Sequence, residues 1–170
     1  MPQPSLTAED LIAWNDRTSR EWQKLLTEHP EVLALPCDIA GADAVNKLLR
    51  HIVAVELRYA QQLSRQPLTE HADIPCDSAE SLYATHDRAT AIFRDLLTQP
   101  IDWDETIEFI TRTLGPARST RKTILFHSQL HSIRHYAQLA TLVRQHGIQQ
   151  KWPLDYLIMH IERIEPAPAS

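Results

Sequence analysis

The sequence predicts an all-α protein arranged as a four-helix bundle, on three observations. Glycine is limited to three of 170 residues, and Leu, Ala, Ile, Arg, Glu and Gln fill the long segments; most of these residues enter a helix at little cost. Apolar residues recur at steps of three and four in four separate stretches. Proline and polar clusters divide those stretches from one another. With 43% hydrophobic content, a chain of this length can bury a core of its own, so residues 1–170 are expected to form one domain.

The first helix starts after Ser5 or Thr7, where Glu9 and Asp10 suit the positive end of the helix dipole. It buries Leu11, Trp14, Trp22, Leu25 and Leu26 and ends near His29-Pro30. Pro30 and Pro36 exclude regular helix over residues 31–39, which are expected to cross a bundle end with Val32, Leu33 and Leu35 covering it. Helix two follows Gly41 or Asp43 and runs from about residue 42 to 64, with Val45, Leu48, Ile52, Val55, Tyr59 and Leu63 as its seam. Pro67 closes it. A polar connection over 69–77 leads to a third helix capped by Asp77 or Ser78. Its stripe is Leu82, Ala89, Ile92, Phe93 and Leu96, with Thr85 as the one polar member, and Pro100 stops it.

Residues 101–118 alternate weakly through Ile101, Trp103, Ile107, Phe109, Ile110 and Leu114 and close on Gly115-Pro116. That pattern fits either a short β-hairpin or an irregular lid. The last helix spans about residues 119–146, with Arg144 in its final turn and Gly147 just beyond it. Trp152 to Ile158 is expected to pack back on the bundle, ahead of a Pro/Ala-rich final five residues.

A net charge of −5 with dispersed basic residues offers no field suited to phosphate backbones, so nucleic acid is not an expected ligand. The start has no basic segment followed by an apolar run, and no stretch reaches 18 consecutive apolar residues. The expectation is a cytoplasmic protein without a membrane partner. Cys37 and Cys76 stand alone and are expected to be thiols packed as small hydrophobes.

The chemistry lies in the ladder His127-x-x-x-His131-x-x-x-His135, whose four-residue spacing stacks imidazoles on one helical face. His131 and His135 share a sector with Ile124, Gln138 and Leu142, on the inward side of helix four. Two buried imidazoles one turn apart can satisfy their nitrogens by ligating one cation. His51, at the edge of the helix-two seam, is the best third ligand if helices two and four are neighbours. Three His ligands leave a position open for water or substrate, the catalytic pattern. The other reading is a set of core and surface histidines satisfied by ordinary acceptors.

His127 sits one turn further out, as a candidate to support the metal ligands or as a surface residue. Gln138 and Tyr59 are candidates to orient the ligands or contact substrate. Glu56 lies about 140° around helix two from His51, a poor position for a ligand, but it is a candidate to act near the metal. His29, His71, His86, His146 and His160 have no partner pattern.

Leu49-Arg50-His51-Ile52-Val53-Ala54-Val55-Glu56 and His131-x-x-x-His135-Tyr-Ala-Gln138, with the trailing Trp-Pro-Leu-Asp155-Tyr156-Leu157, resemble the DinB/YfiT-like superfamily over nearly the whole chain. Many members read His-Arg-Gly-Gln at the final ligand; here the Gln is kept, and Tyr136 and Ala137 stand where Arg and Gly would be. The resemblance implies a four-helix bundle with long crossover connections, a zinc or nickel ion on His51, His131 and His135, and a homodimer. Its characterised members include S-transferases of low-molecular-weight thiols such as bacillithiol or mycothiol, and a thiol-dependent maleylpyruvate isomerase. The expected function is therefore a metal-dependent thiol S-transferase acting on a small molecule. The alternatives are a metal-dependent hydrolase, with Glu56 or His127 as the base, and a non-enzymatic, metal-binding dimeric protein associated with stress.

Overall fold

Each helix starts and stops where its own sequence dictates. The computed structural model describes residues 5–159 and 161. Helix α1 (Ala8–Glu28) opens on a capping box in which the Thr7 hydroxyl accepts from the Asp10 amide and the Asp10 carboxylate accepts from the Thr7 amide. It ends ahead of Pro30, and the short 3-10 turn Pro30–Ala34 buries Val32 and Leu33. Helix α2 (Val45–Leu63) begins later than its apolar pattern suggested. Ala40 and Gly41 adopt left-handed φ values of 56° and 73°, and Pro36 pairs with Ala44 in a β-bridge that holds the approach extended. Helix α3 (Ala79–Thr98) is capped by Ser78, not Asp77. Helix α4 (Arg121–Gln145) is capped by Thr120 and gives way to Gly147 at φ 82°.

Residues 101–118 contain a hairpin, the first of the two readings left open by the sequence. Strands β1 (Thr106–Thr111) and β2 (Gly115–Thr120) are antiparallel, with Thr106 opposite Thr120 and Thr111 opposite Gly115. Gln62 of α2 docks the hairpin by accepting from the Ile110 amide at 2.6 Å and donating to its carbonyl at 3.2 Å.

Helix α2 packs between α3 and α4, and α1 packs between the same two. Ion pairs Glu9–Arg94 and Arg20–Asp87 run α1 antiparallel to α3. Asn15–Gln129 and Ser19–Tyr136 run it alongside α4, whereas Arg121 reaches the Leu63 carbonyl and Ser132 reaches Glu56, so α2 and α4 are antiparallel. Helices α2 and α3 must then be parallel. Residues 64–78 form the long crossover this requires, tied to α2 by Arg58 and Gln61 through Thr69 and burying Ile74 beside the opposite end of the bundle.

The core divides into two apolar clusters, one around Trp22, Leu48, Ile52 and Tyr136 and the other around Leu57, Phe93 and Leu125. A polar layer crosses all four helices between them. Its centre is Glu56, 1% exposed, whose carboxylate accepts from Asn15 Nδ2, Ser132 Oγ and His86 Nδ1, each at 2.7 Å. Burial alone would depress His86, but the charge of Glu56 and hydrogen bonds to Asp16 and Glu56 outweigh it and raise its pKa to about 9. Asp16, hydrogen-bonded to His86, is held at about 2.

Beyond α4, Trp152 meets Trp22 edge-on at 5.2 Å, and Trp14 Nε1 donates to the Leu154 carbonyl at 3.0 Å, so this segment packs back on the bundle. His160 and the Pro/Ala-rich final five residues lie outside the described residues. Among the described residues no helix is long and apolar enough to cross a membrane.

Removing Glu56 takes the nearer carboxylate from a buried imidazolium and the shorter-range acceptor from Asn15 and Ser132, leaving them only Asp16, Gln129 and the Ser128 carbonyl. Glu56→Ala is expected to lower the unfolding free energy by about 3–5 kcal/mol in urea titrations near neutral pH; a loss below about 1 kcal/mol would contradict a central role. Because His86 is raised above its ordinary value of 6.5, its contribution is complete below that pH and is lost as pH rises through about 9.

Candidate metal centre

The antiparallel packing of α2 on α4 brings His51 against the first and second turns of a two-rung ladder. His51 Nε2 lies 3.1 Å from His131 Nε2, and His131 Nε2 lies 3.2 Å from His135 Nε2. All three ligand atoms fall within 4.8 Å of one another. A tetrahedral zinc ion with Zn–N bonds of about 2.0–2.1 Å has ligand nitrogens about 3.3 Å apart, so the observed convergence suits one cation. The donor set therefore fits a divalent metal.

Burial is the largest influence on each ring. It drives His51 to about 4 and His131 to about 2, with neighbouring histidines and arginines adding to the effect, and it lowers His135 as well. Neutral imidazoles are the form that ligates metal. The tautomer of His135 is fixed, because its Nδ1–H donates to Gln138 Oε1 at 2.7 Å and leaves the lone pair on Nε2. Arg134 Nη2 donates into that lone pair at 3.1 Å. The buried Nδ1 atoms of His51 and His131 have no such orienting partner among the described residues.

The three rings line a cavity of about 1390 Å³ between α2, α4, the hairpin turn and the crossover. Tyr59 is half-buried in its wall, 5.9 Å from the Phe109 ring and 5.7 Å from His127. His127 is exposed, with its ring 5.7 Å from His131, and lines the cavity outside the ligand trio. Gln138 is exposed, not inward as its helical sector suggested, and reaches His135 from the rim. Glu56 requires a correction: it does not line the cavity, because three donors hold its carboxylate inside the polar layer.

Sequence reasoning passed over His71, Arg58, Arg112 and Arg134, all of which line the cavity. His71 and Arg112 belong to the crossover and the hairpin turn, segments whose placement no helical periodicity encodes. His86 was also passed over, although its place one turn beyond Leu82 in the α3 stripe marks it as inward-facing.

Arg134 competes with a cation for the His135 lone pair and opposes it by charge. Arg134→Ala is expected to tighten zinc binding by about threefold or more in chelator competition at low salt; weaker binding in the variant would contradict this arrangement.

A search of curated proteins found no match. Comparison with protein-family models matches residues 1–165 to the one described as DinB family. The match spans all four helices and the three converging histidines, and the chain belongs to the DinB family.

Proposed function

We propose that this protein is a metal-dependent thiol S-transferase, in which His51, His131 and His135 hold zinc or nickel and a low-molecular-weight thiol is the co-substrate. The observation that carries the reading is the position of the trio, with three neutral imidazoles converging on the wall of a large cavity. A site with three protein ligands keeps a position for an incoming group. When bound, the divalent cation lowers the pKa of a coordinated thiol and favours the thiolate.

The chain's own residues complete the chamber. Arg134 adds positive charge beside the ligands, which favours an anionic sulfur. Burial raises the Tyr59 hydroxyl above its usual range, so it stays a proton donor. Desolvation on its cavity side lowers the His127 ring below its usual range, which makes it a candidate proton acceptor. Phe109, Ile110 and Leu114 supply apolar wall for an electrophile.

The hydrolytic alternative loses one of its two candidate bases, because Glu56 is committed to the polar layer, and rests on His127. The proposal includes a cytoplasmic homodimer, for which exposed Leu130, outside the cavity, offers apolar surface.

Zinc- and nickel-loaded protein should be assayed with a panel of low-molecular-weight thiols and 1-chloro-2,4-dinitrobenzene. At least one thiol is expected to react about tenfold or more above its uncatalysed rate, and His131→Ala should return that rate to background. Metal-dependent stabilisation without turnover of any thiol would instead favour the non-enzymatic metal-binding reading.

A further inference from the structure

We propose that the cavity selects a small organic carboxylate, with the carboxylate held by Arg58 and Arg112 and the apolar part lying against Tyr59 and Phe109. This deepens the reading of the cavity as a substrate chamber and rests on it.

The argument begins with charge. The chain carries a net −5, yet the described residues lining the cavity include Arg58, Arg112 and Arg134 against Glu70 as the one acid. These arginines come from α2, the hairpin turn and α4, so only the fold assembles them. Among the described residues none of the three forms an ion pair, whereas Arg94, Arg118 and Arg121 elsewhere on the molecule each pair with a carboxylate. Three guanidinium groups around one concavity repel each other and attract an anion.

Geometry narrows the ligand. Arg58 is held in place by donating to the Thr69 carbonyl, which lowers the entropy lost on binding. His71 lies near both Arg58 and Arg112: after burial, the charges of Arg112, Arg50 and Arg58 are what lower its pKa. Arg58 and Arg112 therefore both bear on the crossover side of the chamber. A guanidinium offers a planar fork of donors that matches a carboxylate. The neighbouring Tyr59–Phe109 pair, with its rings inclined by 63°, forms an angled aromatic wall suited to a ring or chain.

The test is calorimetric titration of 4-phenylbutyrate and its uncharged amide, 4-phenylbutyramide, into zinc-loaded and zinc-stripped protein, with zinc content measured in parallel. The acid is expected to bind about tenfold or more tightly than the amide in both forms and to weaken as salt is raised. Arg112→Ala, at an exposed turn, should weaken the acid about threefold or more without changing zinc content, and Arg58→Gln should do the same. Equal binding of acid and amide would overturn the proposal. So would a preference that vanishes when zinc is stripped, or one that neither arginine variant changes. Zinc stoichiometry and thiol turnover are read independently, so those outcomes would leave the thiol-transfer reading standing.

Discussion

A carboxylate buried at the centre of a helical bundle must be met by donors, and the Glu56 side chain takes them from the other three helices. Asn15 of α1, His86 of α3 and Ser132 of α4 converge on it at hydrogen-bond distance. Apolar contacts tolerate sliding by a fraction of a turn, but these bonds do not. A slip of any helix would leave a buried charge or donor unpaired, at a cost of several kcal/mol. The polar layer thus sets the register in which the two apolar clusters pack.

The same register builds the candidate metal centre. Ser132, bonded to Glu56, follows His131 directly in α4, so fixing Ser132 inward turns His131 and His135 toward α2 and the cavity. Glu56 lies just over one turn beyond His51 on α2, on a different face. Two histidine environments result from one layer. His86 is flanked by Glu56 and Asp16 and remains an imidazolium. His51, His131 and His135 are also desolvated but have no carboxylate beside them among the described residues, so burial prevails and they stay neutral. Identical side chains become a structural cation in one place and a candidate ligand set in the other.

The helices were legible because their apolar steps, caps and proline stops act locally. The four-residue spacing placed His131 and His135 on one face, the edge of the helix-two seam offered His51 as their companion, and the family resemblance implied the same trio. The start of α2 was less legible, because the left-handed Ala40–Gly41 pair and the Pro36–Ala44 bridge delay the helix by means its apolar pattern does not encode. The polar layer was largely hidden. Asn15, His86 and Gln129 are single polar residues on otherwise ordinary helices, and only tertiary packing shows that they meet around Glu56. The cavity arginines are harder still, since Arg58, Arg112 and Arg134 come together through a crossover and a hairpin whose docking depends on hydrogen bonds such as Gln62 to Ile110.

The account depends most directly on one cation shared between α2 and α4. Elemental mass spectrometry of tag-free protein, with wild type and His51→Ala purified side by side, tests it. The account predicts about one equivalent of zinc or nickel in the wild type and a fall of about tenfold or more in the variant, with the helical content of both unchanged. Equal metal content in the two proteins, or none in either after incubation with zinc and nickel, would contradict it.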